Sequence, residues 1–312
     1  MTGPRVSVVI PTLNAAAYLP DLLRAFRTQR PSPPEEVILV ESGSRDATLA
    51  IAAGASGVRV VPIARFTHGG SRNLGARESR CEIVAFLSQD ALPANEAWLA
   101  ELVAPFADPG VAAVFSRQLP RPDANPMERH FLETHFPPGE PVRMRRRGDG
   151  PFVFQKDVFF SNVSAAVRRE DILRHPFDEE LIMSEDQQLA RDLLLAGRTV
   201  VYAPASQVLH SHNYSLRQAF ERYFDSVYSL TKIFPQHDMG RSVSLGMGYL
   251  RREAALMLRR HPRHLPRYIG YVLAKSFGTL LGHHAERLPR AWARRMSLHK
   301  EYWDRRPGNP VR

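Results

Sequence analysis

The sequence predicts an α/β protein with a parallel sheet, continued by a helical and basic C-terminal extension. Three observations carry this. Short apolar runs alternate with helix-spaced segments through the first 120 residues, the pattern of successive βαβ units. A polar cluster follows each of the first four runs, where open parallel sheets place their ligands. Charge is segregated along the chain. Residues 1–250 carry 27 Lys+Arg against 28 Asp+Glu, whereas 251–312 carry 15 against 4, so the net +10 resides in the tail.

In order, RVSVVIP reads as a buried strand, followed by a helix over Ala16–Gln29 with Leu19, Leu22, Leu23 and Phe26 on one face. EEVILVES is a second strand and Asp46–Ala53 a helix with an acid near its start. VRVVPI, a helix over Ser71–Ser79 and the strand CEIVAFLS complete the pattern. Residues 116–160 read as an irregular excursion over the site, with six prolines from Pro120 to Pro141 and a basic run Arg143–Arg147. Order returns with VFFSNVSAAVRRE, a helix over Asp186–Ala196 stopped at Gly197, and the strand RTVVYAP. From Ser215 the pattern is helical, with breaks expected near Pro235, Pro262 and Pro266. The division expected is a sheet domain over 1–235 and a basic helical extension over 236–312.

Composition narrows the function. With 44% hydrophobic and 24% charged residues the chain is globular rather than disordered. The single cysteine, Cys81, permits no intrachain disulfide and favours a cytoplasmic setting. The longest apolar stretch, Tyr268–Gly282, holds Lys275 and falls short of the roughly 20 residues a membrane span needs. The near-neutral body and the lack of interleaved aromatics in the tail argue against a nucleic-acid partner. A hydrolase would need a G-x-S-x-G elbow and a dinucleotide enzyme a G-x-G-x-x-G turn after the first strand, and neither occurs. A nucleotidyltransferase is the nearest enzymatic rival, though no glycine- and basic-rich loop follows the first strand.

The four clusters are Pro11-Thr12-Leu13-Asn14, Glu41-Ser42-Gly43-Ser44-Arg45-Asp46, Phe66-Thr67-His68-Gly69-Gly70-Ser71-Arg72-Asn73 and Ser88-Gln89-Asp90. Singly each reads as a turn or a cap. Together they converge on one crevice. With MSEDQQLARDLLLAG and VLHSH further on, these segments resemble an inverting glycosyltransferase of family 2 with the GT-A fold, a Rossmann-like nucleotide-diphospho-sugar domain, over residues 5–230. The variants SGSxD, FxHGGxRN and SQDAxP are most similar to bacterial rhamnosyltransferases.

The resemblance implies a nucleotide-diphosphate sugar donor, a glycan or polyprenyl-linked acceptor, and a divalent cation, Mg²⁺ or Mn²⁺. It places Thr12 and Glu41 at the base, with Glu41 standing where the family usually has Asp. Arg72 suits the base or the diphosphate, because its planar fork pairs with oxygens. Pro11, Asn14, Ser42, Ser44, Asn73, Ser88 and Gln89 complete the donor set. Asp90 aligns with the second Asp of the family's Asp-x-Asp motif, while Ser88 replaces the first. His210, and secondly His212, would complete the metal site. Asp186 aligns with the base that takes the acceptor proton, with Glu185 second. Ser88 leaves a catalytically silent relative as the alternative.

In the tail, Arg251, Arg252, Arg259, Arg260, Arg263 and Arg267 flank Leu250, Leu256, Met257 and Leu258. Arg287, Arg290, Arg294 and Arg295 accompany Leu288, Trp292 and Met296. Such basic amphipathic stretches suit an anionic membrane surface. The expectation is a cytoplasmic protein, peripheral on the inner face of the cell membrane.

Overall fold

β-Branched residues are stiff at χ1 and favour extended backbone, and the apolar runs form β1 (Val6–Thr12), β2 (Glu36–Glu41), β3 (Val58–Pro62) and β4 (Ile83–Leu87). The computed structural model describes residues 4–146, 157–235 and 239–305. Arg147, and the stretch 236–238 that opens the expected extension, lie outside the described residues. Between the strands run α1 (Leu19–Arg27), α2 (Thr48–Ala53) and α3 (His68–Glu78). The chain continues through β5 (Leu92–Pro93), α4 (Trp98–Val103), β6 (Val111–Leu119), α5 (Pro126–His135), β7 (Val142–Met144), β8 (Ser164–Arg168), α6 (Arg169–Arg174), α7 (Glu185–Leu195) and β9 (Thr199–Leu209).

The sheet has the order β3-β2-β1-β4-β8-β6-β9-β5, with β7 on β9. β1 pairs in parallel with both β2 and β4, and β8 runs antiparallel between β4 and β6. β2 and β3 extend to one side of β1 and β4 to the other, so the topological switch lies between β1 and β4. Both faces are covered, so these strands are apolar without alternation. Val9, Ile38, Val84 and Phe86 pack with Leu189 and Leu193 of α7 on one face. Val8, Ile10, Leu39 and Ala85 pack with Leu19 and Leu22 of α1 and Trp98 of α4 on the other.

Several boundaries differ from expectation for identifiable reasons. α3 starts at His68 rather than Ser71, because the Thr67 hydroxyl accepts the Gly70 N–H at 2.9 Å and caps the helix there. The stretch 116–160 is not wholly irregular. Asn125 caps α5 by accepting the N–H groups of Met127 and Glu128, and Pro126 sits in the first turn, where its missing N–H costs nothing. β9 runs on past Pro204 to Leu209, so no connection separates it from His210. Its pairing with β6 jumps from Ser116↔Ala203 to Arg117↔Gln207, and this irregularity lets the strand carry the proline. Gly197 at φ 76° ends α7 as expected.

The last third is helical: α8 (Leu216–Ile233), α9 (Met239–Arg260), α10 (Leu265–His283), α11 (Arg290–Met296) and α12 (Lys300–Arg305). A capping box between Ser215 and Gln218 starts α8. The helical run breaks between Arg260 and Leu265, near Pro262 and Pro266 as expected, with Pro266 itself in the first turn of α10. α10 packs closely on α8 through glycines. A methyl at Gly278 would lie 2.5 Å from the Phe220 carbonyl oxygen, and one at Gly282 would strike the Phe224 carbonyl. The opposite side of α10 presents Ile269, Leu273, Phe277 and Leu280, each 52–57% exposed. No helix of the described residues is long and apolar enough to cross a membrane.

The α8–α10 contact gives a test of this packing. Gly278→Ala and Gly282→Ala should each lower the stability of unfolding by about 1–3 kcal/mol, through overpacking against backbone. Gly248→Ala, in α9 with open space around it, should leave stability unchanged or raise it by about 0.5–1 kcal/mol. Urea titrations of the three variants compare the effects.

Candidate active site

At the switch the loops after β1 and β4 meet. The cleft there is lined by Pro11 and Thr12 at the end of β1 and Leu13 after it, Ser42 after β2, Phe66, His68 and Arg72 after β3, and Ser88, Gln89 and Asp90 after β4. The structure thus brings together seven of the residues expected from the sequence: Pro11, Thr12, Ser42, Arg72, Ser88, Gln89 and Asp90.

Side chains tie these loops to one another. The Gln89 amide accepts the Leu13 N–H at 2.9 Å and donates to the Leu13 carbonyl at 3.1 Å. Asn14 adopts a left-handed φ of 51°, donates its N–H to Ser44 Oγ and accepts the Arg45 N–H. The Ser42 hydroxyl donates to the Thr12 carbonyl. Glu41 turns its carboxylate into its own loop, accepting the N–H groups of Gly43 at 2.9 Å and Ser44 at 2.5 Å. Burial opposes that charge, but the Ser44 and Gly43 hydrogen bonds prevail and hold the Glu41 carboxyl below its usual range. Glu41, Asn14 and Ser44 therefore shape the loops rather than line the cleft.

Asn73 ties two elements together. Its amide donates to the Phe177 carbonyl and to Glu179, and its Oδ1 accepts the Phe177 N–H, all at 2.9–3.0 Å. Both ends of the side chain thus fasten α3 to the segment before α7.

Asp90, His210 and His212 form one group. His210 Nε2 lies 3.6 Å and His212 Nε2 3.5 Å from the Asp90 carboxylate oxygens, and the two Nε2 atoms lie 3.0 Å apart. Gln118 Oε1 sits 2.9 Å from His210 Nδ1, which assigns the proton to Nδ1 and leaves the Nε2 lone pair facing Asp90. Burial pushes the His210 imidazole down to about 3 against the pull of Asp90, so both histidines offer the neutral form that binds metals. Two nitrogens and a carboxylate, all within 4.8 Å of one another, fit a divalent cation. The Arg121 guanidinium donates to the Asp90 carbonyl and braces the turn.

The acidic pair begins α7. Ser184, at a left-handed φ of 64°, turns the chain into that helix. Glu185 pairs with Arg72 at 3.0 Å, both side chains less than a tenth exposed. Burial opposes the Glu185 charge, but Arg72 and then His68 outweigh it and keep its carboxyl low. Among the described residues Asp186 forms no salt bridge, and Arg72 pulls on it only from a distance. Burial, and then the neighbouring Glu185 charge, push its carboxyl up to about 7. It accepts the N–H groups of Asn162 and Gln187.

Sequence reasoning did not single out Phe66, His68 or Arg121. The first two lie inside the quoted third cluster, so their signal was its position after β3. Arg121 gave none, because its role depends on β6 ending beside β4's loop.

The glycosyl transferase family 2 profile matches residues 7–175. The chain is 34% identical over 307 residues to the O-antigen chain rhamnosyltransferase RfbN of Salmonella typhimurium, covering 96% of each chain. It is 35% identical over 306 residues to the O-antigen chain rhamnosyltransferase WbaN of Salmonella anatum, again covering 96% of each. Among solved structures, a mannosyltransferase from Pyrobaculum calidifontis in complex with GDP-Man and Mn²⁺ superposes with a TM-score of 0.56 at 18% identity, covering 97% of this chain and 86% of that one. Glucosyl-3-phosphoglycerate synthase from Mycobacterium tuberculosis superposes at 0.53 with 21% identity, covering 76% and 83%. Fold, cleft and sequence agree: the chain belongs to glycosyl transferase family 2.

Proposed function

We propose that the enzyme transfers rhamnose, with inversion, from a nucleotide-diphosphate donor to a hydroxyl of a polyprenyl-linked glycan during surface polysaccharide assembly. The observation that carries the reaction is the division of labour in the acidic pair. Arg72 keeps Glu185 charged, whereas Asp186 forms no salt bridge among the described residues and has a proton affinity near neutrality. A general base needs that poise to take a hydroxyl proton during attack on the anomeric carbon. The near end-to-end likeness to two O-antigen chain rhamnosyltransferases supports the sugar and the type of acceptor. Thr12 and Ser42 line the part of the cleft suited to the nucleoside. Arg72 lines it as well, and its buried Nε has no partner among the described residues, which suits a donor contact. Asp90, His210 and His212 would hold Mg²⁺ or Mn²⁺, as the Mn²⁺ in the solved relatives supports. Bound there, the cation supplies positive charge for the diphosphate.

The enzyme works on the cytoplasmic face of a membrane and docks through α10. The exposed stripe Ile269, Leu273, Phe277 and Leu280 suits the acyl boundary, and the exposed Arg259, Arg260, Arg263 and Arg267 precede or open that helix.

Asp186→Asn should lower kcat by about 10²–10⁴-fold while donor affinity by calorimetry stays near wild type. With the donor saturating, wild-type turnover should rise through about pH 7 as Asp186 ionises. Stability follows the opposite sign. A carboxyl raised in the folded state contributes stability that is full below its unfolded pKa and lost as pH rises through its folded one, so unfolding should become easier from mildly acid pH to above pH 7. Chelation should abolish transfer and Mn²⁺ should restore it. His210→Ala should raise the Mn²⁺ concentration for half-maximal rate by about 10–100-fold. Vesicles with anionic headgroups should sediment the protein in a salt-sensitive way, and Leu273→Glu with Phe277→Glu should abolish this while sparing donor hydrolysis in solution.

A further inference from the structure

The C-terminal segment reaches the cleft. His299, between α11 and α12, places its Nε2 3.4 Å from Nε2 of His68, with the rings edge to face and their centroids 4.9 Å apart. His68 itself lines the cleft and meets the Phe66 ring on another side at 5.2 Å. The segment carrying His299 is fixed by Asp225 of α8, which is fully buried. One oxygen, Asp225 Oδ2, accepts the Ser297 hydroxyl at 3.0 Å, the Leu298 N–H at 2.9 Å and the His299 N–H at 3.1 Å. Three donors on one buried carboxylate oxygen specify where His299 stands far more tightly than packing alone.

We propose that His299 is a positioning residue of the transfer site, set by Asp225 and acting through His68. Two imidazoles meeting through Nε2 share one proton, so the tautomer of His299 dictates that of His68. With its Nε2 committed to His299, His68 addresses a substrate only through Nδ1, at the start of α3 and one turn before Arg72, which donates to the His68 carbonyl. The charged groups around the pair are Arg72, Glu185, Arg222 and Glu301. The C-terminal segment thus backs a residue of the cleft wall with a side chain 231 positions away in the sequence. The proposal rests on the reading of this cleft as the transfer site.

The test is a double-mutant cycle on the full chain, with thermal unfolding as the check of folding. His299→Ala should lower kcat/KM about tenfold, and His299→Gln, which keeps a hydrogen-bonding group, should recover most of it. His68→Ala with His299→Ala should be no worse than His68→Ala alone. In ¹⁵N spectra of the ring nitrogens, His68 should hold a single tautomer in the wild type and mix tautomers in His299→Ala. Additive losses, turnover of His299→Ala within twofold of wild type, or an unchanged His68 spectrum would overturn the proposal. A wild type that uses no nucleotide sugar would instead overturn the functional reading, and the spectra would still decide the pairing.

Discussion

The buried pair between Arg72 and Glu185 is the interaction on which the site depends. Placing two adjacent carboxylates at the start of a buried helix is costly unless one is neutralised. Arg72 neutralises Glu185 at 3.0 Å, and the remaining repulsion falls on Asp186. The pair therefore does more than join α3 to α7. It separates two chemically alike neighbours into one fixed charge and one group that can exchange a proton near pH 7. The same arginine donates to the His68 carbonyl, so the cleft wall and the acidic pair share one brace. Truncating either partner would leave an uncompensated buried charge.

Other parts of the fold serve that pairing. Asn73, one residue beyond Arg72, locks α3 to the chain before α7 through the Phe177 backbone. Gly75 lets α3 sit against Val9 of β1 so closely that a methyl there would overlap the valine. Arg72 thus reaches Glu185 because α3 is held at both the sheet and the α7 side. Asn73 is part of this clamp.

Much of the fold was legible because Val8, Val9 and Ile10, and their counterparts in β2 and β4, are apolar on both faces, which leaves a covered parallel strand as the natural reading. The grouping of Asp90 with His210 and His212 was expected from the resemblance to the family and not from the residues by themselves. What stayed hidden was fixed by tertiary context. His-Gly-Gly reads as a turn until the Thr67 cap is seen to start a helix there. β9 was read as ending at Pro204, because its continuation depends on an irregular register with β6. The hydrogen bonds that Glu41 makes within its own loop and Asn73 makes to Phe177 are set by the folded chain and leave no mark in the sequence. His299 has no local signal, since its partner lies at the far end of the chain. The basic tail was visible as charge, but the apolar stripe of α10 was hidden in a stretch whose other face is spent on α8.

The Ser88-Gln89-Asp90 turn shows how the site does without a second carboxylate. The Ser88 N–H donates to the Val163 carbonyl, the Ala91 N–H donates to the Ser88 carbonyl, and Gln89 grips Leu13 through both ends of its amide. With Arg121 on the Asp90 carbonyl, the turn is held from several sides and presents one carboxylate in a set orientation. Two neutral imidazoles complete the donor set, so the cluster carries a single negative charge. Ligand charge sets how strongly a hard cation is held, and Mg²⁺ prefers an all-oxygen octahedron. Imidazole nitrogens would favour a transition ion over Mg²⁺. A cation held there would meet one carboxylate and two imidazoles, with the Gln118–His210 hydrogen bond orienting one of the rings.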